Sequence, residues 1–133
     1  MRTRIELAGT FRLNPPASPA AIEREEVAYG GPLPQAYVEL LQVSNGMCTD
    51  GSLSVLGAEG VVQRNADYEV QTCLPGYFMI GDDGGGSAIL LNLRDRRIYE
   101  VDMGAMDEAS LELCSESLDG LLALGTTLGE REG

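Results

Sequence analysis

The sequence predicts an α+β fold, a mostly antiparallel sheet with helices packed around it, and three observations predict it. Apolar, β-prone runs at residues 77–80, 88–93 and 97–103 follow one another with only turn residues between them, as neighbouring strands do. Helix signals stand on both sides of that run, each a side-chain cap or proline followed by an apolar stripe. The 133 residues, 44% hydrophobic and 23% charged, suit one domain around one core, with no internal repeat, linker or low-complexity tract to divide them.

Taken in order, residues 4–13 place Ile5, Leu7, Phe11 and Leu13 at odd positions, the period of a strand with an irregularity near Gly9. Asn14-Pro15-Pro16 ends it. Ser18-Pro19 then supplies a cap and a first helical residue, and a polar helix runs to Gly30-Gly31 on a thin apolar face of Ile22, Val27 and Tyr29. Leu33-Pro34 opens a core helix with the stripe Tyr37, Leu40 and Leu41, closed by Ser44-Asn45-Gly46, where glycine can take positive φ. Residues 52–56 read as a short strand, and residues 58–72 as a helix carrying Val61, Val62, Asn65 and Tyr68. Leu74-Pro75-Gly76 separates that helix from the three-strand run.

Within the run, the middle strand is apolar on both faces and so should be central and covered on both sides. The third alternates Tyr99, Val101 and Met103 with Glu100 and Asp102, which puts the two acids on one solvent-facing side of a half-buried strand. Arg94-Asp95-Arg96 is the turn between them. Residues 111–128 are most economically a C-terminal helix starting near Ser115 or Ser117, followed by a frayed Gly-Glu-Arg-Glu-Gly tail.

Charge and composition exclude several function classes. Nine basic residues, all of them arginine, stand against 21 acidic ones for a net charge of −12, which opposes direct nucleic-acid binding and favours a basic protein partner. The absence of lysine is the composition of a GC-rich bacterial genome. No stretch has the apolar length of a membrane span, and no apolar signal-peptide core follows the basic start, so the expected location is cytoplasmic. With no histidine, zinc sites with His ligands and Ser-His or Cys-His catalysis are excluded. Cys48, Cys73 and Cys114 make no disulfide framework or Cys-x-x-Cys motif, and each is expected to be a small core residue.

The stretch at residues 81–86, Gly-Asp-Asp-Gly-Gly-Gly, invites three readings. A phosphate cradle fails because the Gly-x-Gly-x-x-Gly and Gly-Lys-Ser/Thr patterns are missing, two carboxylates stand where an anion would bind, and a strand follows. A calcium loop starting at Asp82 would need oxygen ligands where Gly84, Gly86 and Leu93 stand. A turn between strands needs only glycine's backbone freedom. Glu100 and Asp102 could serve as an acid/base pair, but nothing in the sequence places them in a cleft. No enzyme, cofactor or metal is expected.

The chain carries in order Leu33-Pro34-x-x-Tyr37-x-x-Leu40-Leu41-x-x-Ser44-Asn45-Gly46, then Asn65 and Tyr68, then Ile80-Gly81-x-Asp83-Gly84-Gly85-Gly86, then Ile98-Tyr99-x-Val101-Asp102, and Ser117-Leu118-x-x-Leu121-Leu122. This order of motifs resembles the SUKH superfamily, which includes a yeast cell-wall-synthesis regulator domain and many bacterial immunity proteins. It spans about residues 30–125 of a single SUKH-like domain at residues 1–133; the first thirty residues match least, and the aromatic often found after Ser117 is absent. The resemblance implies helices around an antiparallel sheet and a non-enzymatic, protein-binding role. The partner implied is a cognate toxin, with a basic nuclease as one candidate class; the alternative is a cytoplasmic regulatory scaffold holding a housekeeping protein. The resemblance supplies no catalytic residues. From the residues themselves, Asp82 and Asp83 in the loop and Glu100 and Asp102 on the nearby strand are the expected partner-binding positions.

Overall fold

The computed structural model describes residues 2–132. One sheet of seven strands runs in chain order, each antiparallel to the next: β1 (Phe11–Leu13), β2 (Met47–Thr49), β3 (Ser54–Val55), β4 (Tyr77–Asp82), β5 (Ser87–Asn92), β6 (Ile98–Asp102) and β7 (Glu112–Ser115). Seven helices surround it: α1 (Arg4–Ala8), α2 (Pro19–Tyr29), α3 (Gln35–Leu41), α4 (Val61–Asp67), α5 (Val70–Cys73), α6 (Leu118–Leu124) and α7 (Leu128–Glu132). The expected α+β class holds.

The central hairpin explains why both sheet faces are covered. Alternate residues of β5 serve separate cores: Ile89 and Leu91 join Phe78, Ile80, Tyr37 and Leu121 on one face. Ala88 and Leu90 join Met79, Val70, Leu74 and Val101 on the other. An alternating strand would leave one of these faces to water; here both are sealed, as the continuous apolar run requires.

The Leu33-Pro34 helix forms as read, with Tyr37, Leu40 and Leu41 buried and Gly46 at φ 82°. Tyr37 spends its one polar atom on the Leu56 carbonyl at 2.6 Å, so a phenol can sit at the centre of the core without an unmet donor. Ser18 caps α2 by accepting from Ala21 N–H, and Gly30 ends it in the left-handed region.

Asn65 links α4 to the sheet. The register of β4 against β5 shifts between Met79 and Gly81, and on the other side of β4 the pairing with β3 reaches only Gly81 and Asp82, which leaves Met79 without a β3 partner. The Asn65 side chain replaces the missing strand: its Oδ1 accepts from Met79 N–H at 2.8 Å and its Nδ2 donates to the Met79 carbonyl at 3.0 Å. Next to the bulge, Gly81 faces β3 so closely that a Cβ there would overlap the Ser54 carbonyl oxygen. That backbone contact cannot move aside without separating β3 from β4.

Five expectations are corrected. Residues 4–8 are helical, because Thr3 and Glu6 form a capping box in which Glu6 N–H donates to Thr3 Oγ1 and Thr3 N–H to the Glu6 carboxylate. The odd-position alternation there was not a strand face, since Leu7 is buried while Ile5 is 89% exposed. Residues 58–72 are two helices, broken at Glu69 with φ 51°. The break follows from the cores: Val61 packs in the first and Val70 in the second, and nine residues at about 100° each would put them on opposite sides of one straight helix.

Residues 112–115 are an edge strand ahead of the C-terminal helix, which begins at the expected Ser117, whose side chain accepts from Gly120 N–H, and ends at Leu124 rather than Leu128. The tail folds back as α7, with Gly133 outside the described residues. Of the cysteines, only Cys114 is a core residue; Cys48 is half-buried on β2 and Cys73 is exposed at the end of α5, where its neighbours Val70 and Leu74 take the inward positions. All three are free thiols.

Candidate functional site

At the Ser87–Asp102 end of the central hairpin the chain forms an open cleft of about 480 Å³. Asp83, Ser87, Glu100, Asp102, Glu112 and Leu128 are among its walls. Three of the four acids singled out from the sequence therefore share one concavity. Strand alternation puts Glu100 and Asp102 on the same side of β6, and the β6–β7 register sets Glu112 directly opposite Glu100. Like charges registered across a ladder repel. Among the described residues neither carboxylate has an arginine within ion-pair distance.

Each acid also has a local duty. Asp83 Oδ1 accepts from Gly85 N–H at 2.9 Å and from Ser87 N–H at 3.0 Å, closing the glycine turn. Asp102 is exposed and its Oδ1 accepts from Gly104 N–H at 2.7 Å. Asp82 is turned elsewhere: Arg64 Nη2 donates to its Oδ2 at 2.9 Å, and its Oδ1 accepts from Gly84 N–H. Glu100 is not solvent-facing as the alternation predicted. It is 6% exposed, because α7 folds over β6 and Leu128 N–H donates to its Oε2 at 2.8 Å.

α7 closes the remaining side of the cleft, and its attachments are polar. The Ser52 hydroxyl meets both Thr127 Oγ1 and Glu130 Oε1 at 2.7 Å, and these bonds with Ser52 hold the Glu130 carboxyl below the ordinary glutamate value. Arg131 Nη1 donates to the Cys114 carbonyl at 2.7 Å and so occupies an acceptor on the outer edge of β7. Burial first, and the Glu100 carboxylate second, push the Cys114 thiol up to about 12, so it stays protonated and unreactive.

Sequence reasoning missed Glu112 and Leu128 because it assigned no strand ahead of the helix expected to start near Ser115 or Ser117, and let that helix run on to Leu128. The alternation Leu111-Glu112-Leu113-Cys114 just before the Ser117 cap was the available signal. Chemically, the cleft offers carboxylates to a cation and little else. Among the described residues no group of three or more His, Cys, Asp or Glu side chains is placed to hold a metal ion. No helix of the described residues is long and apolar enough to cross a membrane.

The sequence model of the SMI1 / KNR4 family (SUKH-1) matches residues 16–124, which takes in every element from α2 to α6. "Uncharacterized protein YnaB" of Bacillus subtilis (strain 168) is similar over 72 residues at 38% identity, 54% of this chain and 48% of the relative. The match thus spans about half the length of that relative.

Proposed function

The chain belongs to the SMI1 / KNR4 family (SUKH-1), and from that premise we propose that it is a non-enzymatic binding module that neutralises a cognate bacterial toxin in the cytoplasm. The toxin docks a basic surface against the acidic cleft. The observation that supports this most is the Glu100–Glu112 pair, two carboxylates registered opposite each other with no arginine paired to either. An arginine or lysine from a partner would relieve that repulsion, whereas a water-filled cleft leaves it in place. Asp83 and Asp102 form the rim that the partner meets first, Glu112 the contact at the edge strand, and Glu100 the buried base. Asp82, committed to Arg64, contributes field more than contact.

A net charge of −12 adds steering toward a basic partner, nuclease or otherwise. Mutating rim charges should slow association more than it speeds dissociation. The test uses the purified product of the neighbouring reading frame and the triple variant D83N/D102N/E112Q. We expect affinity to fall at least about tenfold at low salt, mostly through the on-rate, with the difference shrinking as salt rises. Unchanged binding of a correctly folded triple variant would remove the cleft from the account. Capture of a resident cytoplasmic protein in place of a toxin would favour the scaffold role.

A further inference from the structure

The far end of the same hairpin carries the opposite charge. β5 and β6 run antiparallel for five paired residues, about 17 Å, from Ser87–Asp102 at the acidic cleft to Leu91–Ile98, and beyond that pair lies the turn Leu93-Arg94-Asp95-Arg96. Most arginines of this chain are engaged internally. Arg2, Arg12, Arg64 and Arg97 pair with carboxylates, while Arg4 and Arg131 donate to backbone carbonyls. Among the described residues Arg24, Arg94 and Arg96 make no such bond, and two of these three uncommitted cations sit on this one turn.

The turn is held rigid around them. Asn92 Oδ1 accepts from Arg94 N–H at 2.8 Å and Asp95 N–H at 3.0 Å. Asp95 in turn accepts from Arg97 N–H at 2.8 Å and from the Tyr99 hydroxyl at 2.9 Å. Arg96 closes the loop at φ 63°, a left-handed conformation that glycine or asparagine adopts more readily. An arginine there costs the fold something that its side chain does not return through any bond within the chain. Beside it opens a cavity of about 340 Å³ whose walls include Pro34, Ala36, Leu93 and Arg96. Leu93 is 43% exposed there. Glu39 is also among its walls, with Gln35 Nε2 3.4 Å from its carboxylate.

We propose that this basic-rimmed cavity is a second docking site, for a segment of a protein partner that carries an apolar side chain next to a single carboxylate. The apolar side chain enters between Leu93 and Ala36, and the carboxylate meets Arg96, with Arg94 adding field from the turn. Charge complementarity sets the choice of ligand: a strongly acidic molecule repels an acidic segment everywhere except where uncompensated arginines are gathered. Glu39, a second charge in the same lining, disfavours a further carboxylate on the segment. A rigid turn adds little ordering cost on binding, which favours a short linear segment over a broad surface.

The probe is the peptide acetyl-Leu-Asp-Leu-amide, followed by amide shifts in two-dimensional NMR, with acetyl-Leu-Asn-Leu-amide as its uncharged match. The Asp peptide should move the amides of Gln35, Ala36, Leu93 and Arg96 and bind about fivefold more tightly than the Asn peptide, an advantage that R96Q abolishes. The R96G variant separates binding from folding: it should unfold at the same or a higher temperature than the parent, because glycine suits the left-handed position, yet lose the Asp preference as R96Q does. Equal binding of the two peptides, no shifts at those four amides at several millimolar, or an R96G variant that keeps the Asp preference would each overturn the proposal.

Discussion

Asn65 shows how much one side chain carries. Its amide satisfies both backbone groups of Met79 where β3 stops short of them, and it also accepts from Gln71 Nε2 at 2.9 Å. Asn65→Ala would bury an unmet N–H and an unmet carbonyl, and should cost about 3 kcal/mol, read as a lower urea midpoint with an unchanged slope. A loss near zero would mean that water or a shift of β3 meets both Met79 groups in its place. The cysteines give a second test at this scale. At pH 8 a thiol reagent should modify exposed Cys73 first and half-buried Cys48 later, while Cys114, at about 12, reacts only on unfolding. The sequence assigned Asn65 to the family pattern without showing its job, because hydrogen bonds to a strand 14 residues away leave no local periodicity. It also placed Cys73 inside on residue type alone, whereas the break at Glu69 decides which residues of α5 face the core.

Among elements, α7 depends most on ionised side chains. Glu130 is held below its ordinary value of 4.5 by hydrogen bonds from Ser52, so the fold favours its charged form. The stabilisation is complete above the usual glutamate range and is lost as pH falls through the lowered folded value. Acid titration followed at the Ser52 amide should show α7 releasing below pH 4.5 and before the core unfolds, and E130Q should remove that step. An identical acid limb in E130Q would show that α7 is held by Leu128 and Arg131 alone. The core hairpin, α2 and α3 could be read from sequence because apolar runs, caps and proline starts are local. α1, β2, β7 and α7 could not: each is five residues or shorter and is held by distant partners, as when Arg4 reaches the Val43 carbonyl and Glu130 reaches Ser52. Short elements of that kind lie below the window in which periodicity distinguishes helix from strand.

Across the whole molecule the charge is organised rather than merely excessive. Carboxylates collect at one end of the central hairpin, uncommitted arginines at the other, and the two cores between them keep both ends in fixed relation. Composition announced the acidity, and the sequence named Asp83, Glu100 and Asp102, three walls of the cleft; Glu112 entered only with the register of β7. The basic tip escaped notice because Arg94-Asp95-Arg96 reads as an ordinary turn until the other arginines are seen to be engaged. The central claim, neutralisation by direct binding, is tested most directly by growth of cells that express the protein encoded beside this chain, with and without the chain itself. The account predicts that co-expression restores growth and that the D83N/D102N/E112Q variant, expressed to the same level, restores it less. Continued arrest with a folded, abundant parent protein would contradict it.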